Sequence, residues 1–271
     1  MSKGKNRRYS THLSGRRRTN AGDRRLGIVL AFVAGAINAG GFLAVGAYTS
    51  HMSGFVSGVA DNLILGQLGL AGAAVIYILS FFSGAVTSSL LINWARYRKL
   101  QSEFALAIML EAVLLLLFGL LAANMVFNIY LGTETTIALL CYIMGLQNSV
   151  ITKASHAVIR TTHMTGVITD IGVEVGRYIF GKTTGVHTRF RAGNFWLLTA
   201  LLTAFLTGGI IGAFSFSRYG FVSVLPFAGV LALVGIGPVA EDFRRRIWPA
   251  KMDAPLETPD KNSQLDSHDP R

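Results

Sequence analysis

Residues 104–124 have the sequence FALAIMLEAVLLLLFGLLAAN, in which Glu111 is the one charged side chain. A helix needs roughly 20 predominantly apolar residues to cross the hydrocarbon core of a bilayer. A helix at the surface of a soluble protein keeps one polar face, whereas this stretch is apolar on all sides. The stretch therefore predicts a transmembrane helix.

The whole chain has the composition of a membrane protein. Hydrophobic residues make up 51% of the sequence and charged residues only 14%, against about 25% charged in soluble domains. Five further apolar stretches have the length of a span, so the predicted spans are 26–48, 70–93, 104–124, 134–152, 195–217 and 220–240. The predicted fold is an all-α, polytopic transmembrane helix bundle of about six spans within residues 26–247.

Polar sequence flanks this domain. Residues 1–25 carry nine Lys and Arg against Asp23 alone, and residues 248–271 are rich in proline and acidic side chains. We predict a disordered basic arm and a disordered tail, because neither segment can bury enough apolar surface to fold. The apolar run from Leu26 is long and lacks a small-residue cleavage site, so we interpret it as a retained span rather than a signal peptide.

The distribution of positive charge predicts the orientation. In the six-span arrangement, Arg218 alone lies on one side, and the remaining 24 of the 25 Lys and Arg lie on the other. Cytoplasmic loops carry such an excess, so both termini are predicted to be cytoplasmic. The net charge of +11 then favours contact with anionic lipid head groups over nucleic-acid binding.

A short string occurs twice in the chain. Thr49-Ser50-His51-Met52-Ser53-Gly54 recurs as Thr161-Thr162-His163-Met164-Thr165-Gly166, and each copy follows a Gly-x-x-Asn element at 35–38 or 145–148. The first copy follows a span that runs outward, and the second follows a span that runs inward. The pattern predicts a 3+3 inverted-topology repeat of 26–124 and 134–240, an arrangement that is common in secondary transporters. The Gly-, Ser- and Thr-rich segments 49–69 and 153–194 would then hold two broken or re-entrant helices.

These residues also resemble a known family. Gly35, Asn38, Ala39 and Phe42, the two His-Met-Ser/Thr-Gly strings, and the run Gly145-Leu146-Gln147-Asn148 look like the YoaK-like family of bacterial membrane proteins (domain of unknown function 1275). The resemblance covers about residues 26–247, although Phe55 and Val167 stand where relatives often carry Asn. It implies a multi-pass protein of the bacterial inner membrane. It implies no substrate.

Polar groups at membrane depth are the candidate site residues. Glu111 lies inside a span, where a charge costs about 2.5–3.5 kcal/mol on insertion scales, so it should face the bundle interior. Carboxylates near imidazoles can form a proton relay. The candidates for a substrate or proton pathway are His51, His163, Glu111, Asp61, Asn38, Asn148 and Gln147, with Gly54, Gly166, Ser53 and Thr165 shaping the motif backbone.

Each candidate also has a structural interpretation. The histidines and the repeated hydroxyl residues can serve as turns and helix caps. The amides can join helices, and Glu111 can be a hydrogen-bonding hub. Asp170 and Glu174 fit the wet face of an amphipathic helix. The sequence indicates no catalytic residues, cofactor or metal site, because its histidines lack metal-ligand spacing and it carries no nucleotide-binding or hydrolase motif.

Three functions stay open at this point. The favoured one is a small secondary transporter or channel for an unidentified small solute, with proton coupling through Glu111, Asp61 or the paired histidines. The second is a membrane-embedded enzyme acting on a lipid or apolar substrate. The third is a non-catalytic scaffold. The sequence favours a protein that is not an enzyme and leaves open whether it forms a homo-oligomer.

Overall fold

The protein is helical throughout the residues that the computed structural model describes, which are 13–15, 19–125, 132–186 and 188–247. This part of the chain contains no strand, as the sequence predicted. The helices are α1 (Asn20–Val45), α2 (Met52–Ile64), α3 (Leu68–Tyr97), α4 (Ala105–Met125), α5 (Thr133–Ala154), α6 (Met164–Thr184), α7 (Ala192–Tyr219) and α8 (Val224–Ile247), with a 3₁₀ turn at Gly220–Ser223.

The six predicted spans coincide with α1, α3, α4, α5, α7 and α8, and the two intervening segments contain α2 and α6. Four segments are long and apolar enough to cross a membrane: Asn20–Val45, Leu68–Tyr97, Thr133–Ala154 and Ala192–Arg244. The last of these contains α7 and most of α8. Ala105–Leu120 is a shorter apolar helix. These apolar helices support the membrane class, and the count of six spans stays a prediction.

The first helix begins inside the predicted basic arm. Thr19 is its N-cap, and the Thr19 hydroxyl accepts a hydrogen bond from the Gly22 backbone N–H at 3.2 Å. Asp23 lies in the first turn, where a carboxylate interacts favourably with the helix dipole. The helix therefore starts six residues before the apolar run at Leu26. The other predicted disordered residues lie outside the described part of the chain, except for 13–15 and Thr19.

The main helix contacts join the two halves of the chain. Helix α1 packs along α7, α3 packs along α5, and α4 packs against α8. The two intervening helices pack mainly within their own halves, with α2 against α3 and α6 against α7. The first half of the sequence is thus packed largely against the second half.

Glycines allow these helices to approach closely. A Cβ atom added at Gly35 would lie 2.0 Å from the Phe205 carbonyl oxygen, and one added at Gly208 would lie 2.0 Å from the Phe32 carbonyl oxygen. The α3–α5 crossing has the same reciprocal form. There, a Cβ atom added at Gly84 would lie 2.0 Å from the Tyr142 carbonyl oxygen, and one added at Gly145 would lie 1.9 Å from the Phe81 carbonyl oxygen. Small residues at such crossings bring helix backbones together in lipid.

Two carboxylates, one partly buried and one buried, hold helix ends near the basic loops. Asp242 of α8 accepts hydrogen bonds from the backbone N–H groups of Gln101 and Ser102 at 2.9 and 2.8 Å. Glu174 is 3% exposed, and it accepts hydrogen bonds from Arg177 and from the backbone N–H of Arg191, the residue before α7. The expectation that Glu174 lies on a wet face is therefore wrong, because it links α6 to the start of α7. Asp170 is exposed, as expected.

Candidate functional site

Both copies of the repeated motif start a helix in the same way. His51 is the N-cap residue of α2, with φ −91° and ψ 67°, and His163 is the N-cap residue of α6, with φ −84° and ψ 61°. Neither imidazole caps its helix. A Cβ atom at Gly54 would lie 2.8 Å from the His51 Nδ1, and one at Gly166 would lie 2.6 Å from the His163 Nδ1. The motif glycine therefore makes room for the imidazole ring.

Each motif is also tied to its own span by an asparagine. The Ser50 hydroxyl and backbone N–H donate to the Asn38 Oδ1 at 2.9 and 3.1 Å. In the second copy, the Thr162 hydroxyl donates to the Asn148 Oδ1 at 2.7 Å. These hydrogen bonds place each amide oxygen against the motif of its own half.

These hydrogen bonds place the motifs well inside the ends of the preceding helices. Asn38 lies seven residues before the end of α1, and Asn148 lies six residues before the end of α5. An α-helix rises 1.5 Å per residue, so six or seven residues correspond to roughly 10 Å. After leaving its helix, each motif segment therefore turns back by about that distance along the helix axis. Such backbone is tolerated at membrane depth where protein covers it or where it lines a cavity.

Two threonines that were not among the predicted site residues lie at the centre of these turns. Thr49 and Thr161 are both 0% exposed, and their hydroxyls have no hydrogen-bond partner within the described residues. They occupy the first position of each repeated string, which is the signal that could have identified them. Ser53 and Thr165, which were predicted, are instead exposed on the first turns of α2 and α6.

The two histidines differ in their surroundings, although both are exposed. The Arg160 Nη1 donates to the His163 Nδ1 at 3.0 Å. An arginine cannot accept a hydrogen bond, so this contact selects the tautomer of His163 that carries its proton on Nε2. In the first copy, Tyr48 precedes the motif and stacks on Phe42, with ring centroids 4.3 Å apart.

Glu111 and Gln147 lie in the core of the bundle. Both side chains are 0% exposed. Glu111 lies on α4, and the Gln147 amide of α5 is beside it. Within the described part of the chain, neither carboxylate oxygen of Glu111 and neither polar atom of Gln147 has a hydrogen-bond partner. The structure thus places Glu111 in the interior as predicted, beside another candidate residue.

Asp61 is far from its expected partner. It lies on α2 ten residues after His51, which corresponds to about 15 Å along a helix. Its side chain is exposed. The two side chains therefore do not pair directly, and a role of Asp61 in a proton pathway stays a prediction. The described residues contain no group of three His, Cys, Asp or Glu that could hold a metal ion.

A cavity of about 810 Å³ lies between the first turns of α3 and α5. Its walls are mostly apolar, and its polar groups include Tyr77 and Glu134, which form a hydrogen bond with each other. None of the predicted site residues lines this cavity. It therefore lends no support to an enzyme whose histidines and buried carboxylate act on an apolar substrate there.

Comparison with known proteins assigns the chain to a family. Neither the curated proteins nor the solved structures give a match. The sequence model of a family described as a protein of unknown function, DUF1275, matches residues 26–237. This range covers most of α1, all of α2 to α7 and more than half of α8, and it confirms the resemblance to domain of unknown function 1275. The chain is therefore a member of the DUF1275 family.

Proposed function

We propose that the protein is a small secondary transporter or channel for a small solute, built from two halves of opposite orientation in the bacterial inner membrane. The observation that carries the proposal is the pair of turns that fold back along the preceding helices, Ser50 on Asn38 and Thr162 on Asn148. Transporter sites favour interrupted segments at matching positions of two repeats, near the bilayer midplane. The unpaired hydroxyls of Thr49 and Thr161 supply polar groups at these points.

Equivalent helix contacts support the two-half arrangement. The reciprocal pair Gly35 and Gly208 in the α1–α7 crossing corresponds to the pair Gly145 and Gly84 in the α5–α3 crossing. Each pair consists of a motif-span glycine and a glycine of the third helix of the other half. A single pair of this kind would be ordinary helix packing, and the agreement of two pairs favours duplication.

The contact between α4 and α8 agrees with the same symmetry. A Cβ at Gly119 would lie 3.2 Å from the Leu225 side chain, and one at Gly235 would lie 2.8 Å from the Met109 side chain. The interval between Met109 and Gly119 equals that between Leu225 and Gly235. Under a twofold pseudo-symmetry, the axis passes between α4 and α8, so these contacts are each other's equivalents.

Glu111 is the group that we assign to proton coupling. It is a buried carboxyl without a hydrogen-bond partner among the described residues, and it lies beside Gln147. Intramembrane acids that face the bundle interior commonly mark ion or proton pathways. The exposed histidines would then act at the two ends of the pathway, where a solute enters or leaves. Two predictions from the sequence stay part of this proposal: contact with anionic lipid head groups, and association into a homo-oligomer.

Flux into proteoliposomes tests the proposal. Vesicles loaded with a pH-sensitive dye are challenged with panels of amino acids, sugars, nucleobases and carboxylates. We expect at least one solute to enter with a change in internal pH. The triple variant Glu111→Gln, His51→Ala, His163→Ala should lower that flux at least tenfold. Ser217→Ala, a change at an exposed serine of α7, is the matched control. Flux that is unchanged in the triple variant would refute the mechanism.

Single cysteines test the opposite orientation of the halves without any substrate. Ser53 and Thr165 are equivalent, exposed positions in the two motifs. We expect an impermeant maleimide to label Ser53→Cys from outside intact cells, and Thr165→Cys only after the cells are opened. Buried Cys141 should stay unlabelled in both conditions. Labelling of both introduced cysteines from the same side would contradict the inverted arrangement.

A further inference from the structure

A proline inside α8 leaves one backbone carbonyl without its helical partner. Pro238 lies within α8. Proline has no N–H, so the carbonyl of the residue four positions earlier, Val234, cannot receive the usual helix hydrogen bond. The next residue, Gly235, packs closely against Met109 and Ala105 of α4. The free carbonyl is therefore next to the α4–α8 contact, where an unsatisfied polar group is costly.

The N-terminal arm supplies the missing donor. The Ser14 hydroxyl donates to the Val234 carbonyl oxygen at 2.6 Å, across 220 residues of sequence. Ser14 is 0% exposed, Gly15 is buried and Leu13 is partly buried. Leu13-Ser14-Gly15 is an uncharged triplet between basic clusters, so it can enter a crevice without carrying a charge into it.

We propose that residues 13–15 form a latch that closes a hinge in α8 at Pro238. A proline interrupts the hydrogen-bond ladder of a helix, and the helix bends most easily at that point. With Ser14 in place, the carbonyl that the hinge leaves free is satisfied and the arm braces α8. When Ser14 leaves, this carbonyl must find another donor, so bending that exposes it to water becomes favourable.

The net free energy of this contact is small enough for the latch to open and close reversibly. A single hydrogen bond between neutral groups contributes about 0.5–1.5 kcal/mol net, which corresponds to a two- to tenfold change in an equilibrium. The sequences that flank the latch are strongly basic. The docked and the released state of the latch therefore differ little in free energy, and the protein can populate both. In the proposed transporter, the latch would restrain the movement of α8. Its docking can be tested without any transport measurement.

Thiol labelling measures the docking directly. Ser14→Cys keeps a weak S–H donor, and in detergent it should react with a maleimide two- to tenfold more slowly than Asn20→Cys, which is exposed at the start of α1. Peptide mass spectrometry reports each site separately, with buried Cys141 as the slow internal reference. Adding Pro238→Ala restores the N–H that can bond to the Val234 carbonyl. We expect this second change to speed labelling at position 14 two- to tenfold.

Hydrogen exchange tests the hinge without any cysteine. Ser14→Ala should raise exchange at the amides of α8 near Pro238 two- to tenfold, and leave α5 unchanged. Ser53→Ala, a change at an exposed serine of α2, is the matched control and should alter neither helix. Equal labelling of positions 14 and 20 would overturn the docking. Labelling that is insensitive to Pro238→Ala, or exchange that is insensitive to Ser14→Ala, would overturn the role of the proline.

Discussion

Gly145→Ala is expected to prevent the protein from accumulating in a folded form. A Cβ atom at this position would lie 1.9 Å from the Phe81 carbonyl oxygen and 2.7 Å from its carbonyl carbon. These are backbone atoms of α3, so relief requires two helices to separate rather than one side chain to rotate. Overpacking costs about 1–3 kcal/mol where side chains can adjust, and we expect a loss of at least 3 kcal/mol here.

The effect is measured by heating the protein in detergent and using size-exclusion chromatography to quantify the folded protein that remains at each temperature. Gly35→Ala should be similarly damaging, because its Cβ would lie 2.0 Å from the Phe205 carbonyl oxygen. The control is Gly229→Ala in α8, where a Cβ would meet nothing within 4 Å. Because glycine weakens a helix interior, this change should be neutral or stabilise by roughly 0.5–1 kcal/mol. Wild-type melting of Gly145→Ala would show that the α3–α5 crossing is looser than described.

Glu111→Leu is expected to stabilise the protein and to abolish the transport that we propose for it. Both oxygens of this buried carboxyl lack a partner with good hydrogen-bond geometry within the described residues, and the Gln147 amide beside them offsets the burial only in part. On insertion scales, replacing a charged residue inside a span by leucine gains up to roughly 3 kcal/mol, and Glu111 lies in the second turn of α4. A residue that is kept at such a cost to stability is typical of a functional site.

The second buried glutamate of the same region is the matched control. Glu103 is 4% exposed, and it accepts a hydrogen bond from the Arg96 Nε at 2.8 Å. Glu103→Leu removes that partner, and it should lower the melting temperature, whereas Glu111→Leu should raise it. A fall in melting temperature for Glu111→Leu would assign Glu111 to structural hydrogen bonding, the interpretation that the sequence left open.

Hydropathy predicts the helices of this protein well because a span must be apolar over its whole length. The predicted stretch 104–124 and the helix Ala105–Met125 differ by one residue at each end. The first helix shows where this signal stops, since it starts at Asn20 through capping by Thr19. Capping is local chemistry that an apolar count does not record. The partners of each helix are also hidden, because lipid-facing and protein-facing sides of a span are both apolar.

The candidate site was predictable where the sequence repeats itself. The repeat identified both asparagines, both histidines and the motif glycines, although the exposed Ser53 and Thr165 are less central than the buried Thr49 and Thr161. Asp61 was predicted from its closeness in sequence to His51, and the length of α2 separates them. The Ser14 contact spans 220 residues. No periodicity or motif spacing gives a signal for a contact of that kind.

The glycine crossings have a consequence for how the chain reaches its final form. Helices α1 and α3 belong to the first half of the sequence, and their closest partners, α7 and α5, belong to the second. When α1 to α4 have entered the membrane, the surfaces around Gly35 and Gly84 are still bare. Assembly therefore waits for the last part of the chain to be synthesised. Neither half can complete its helix packing without the other.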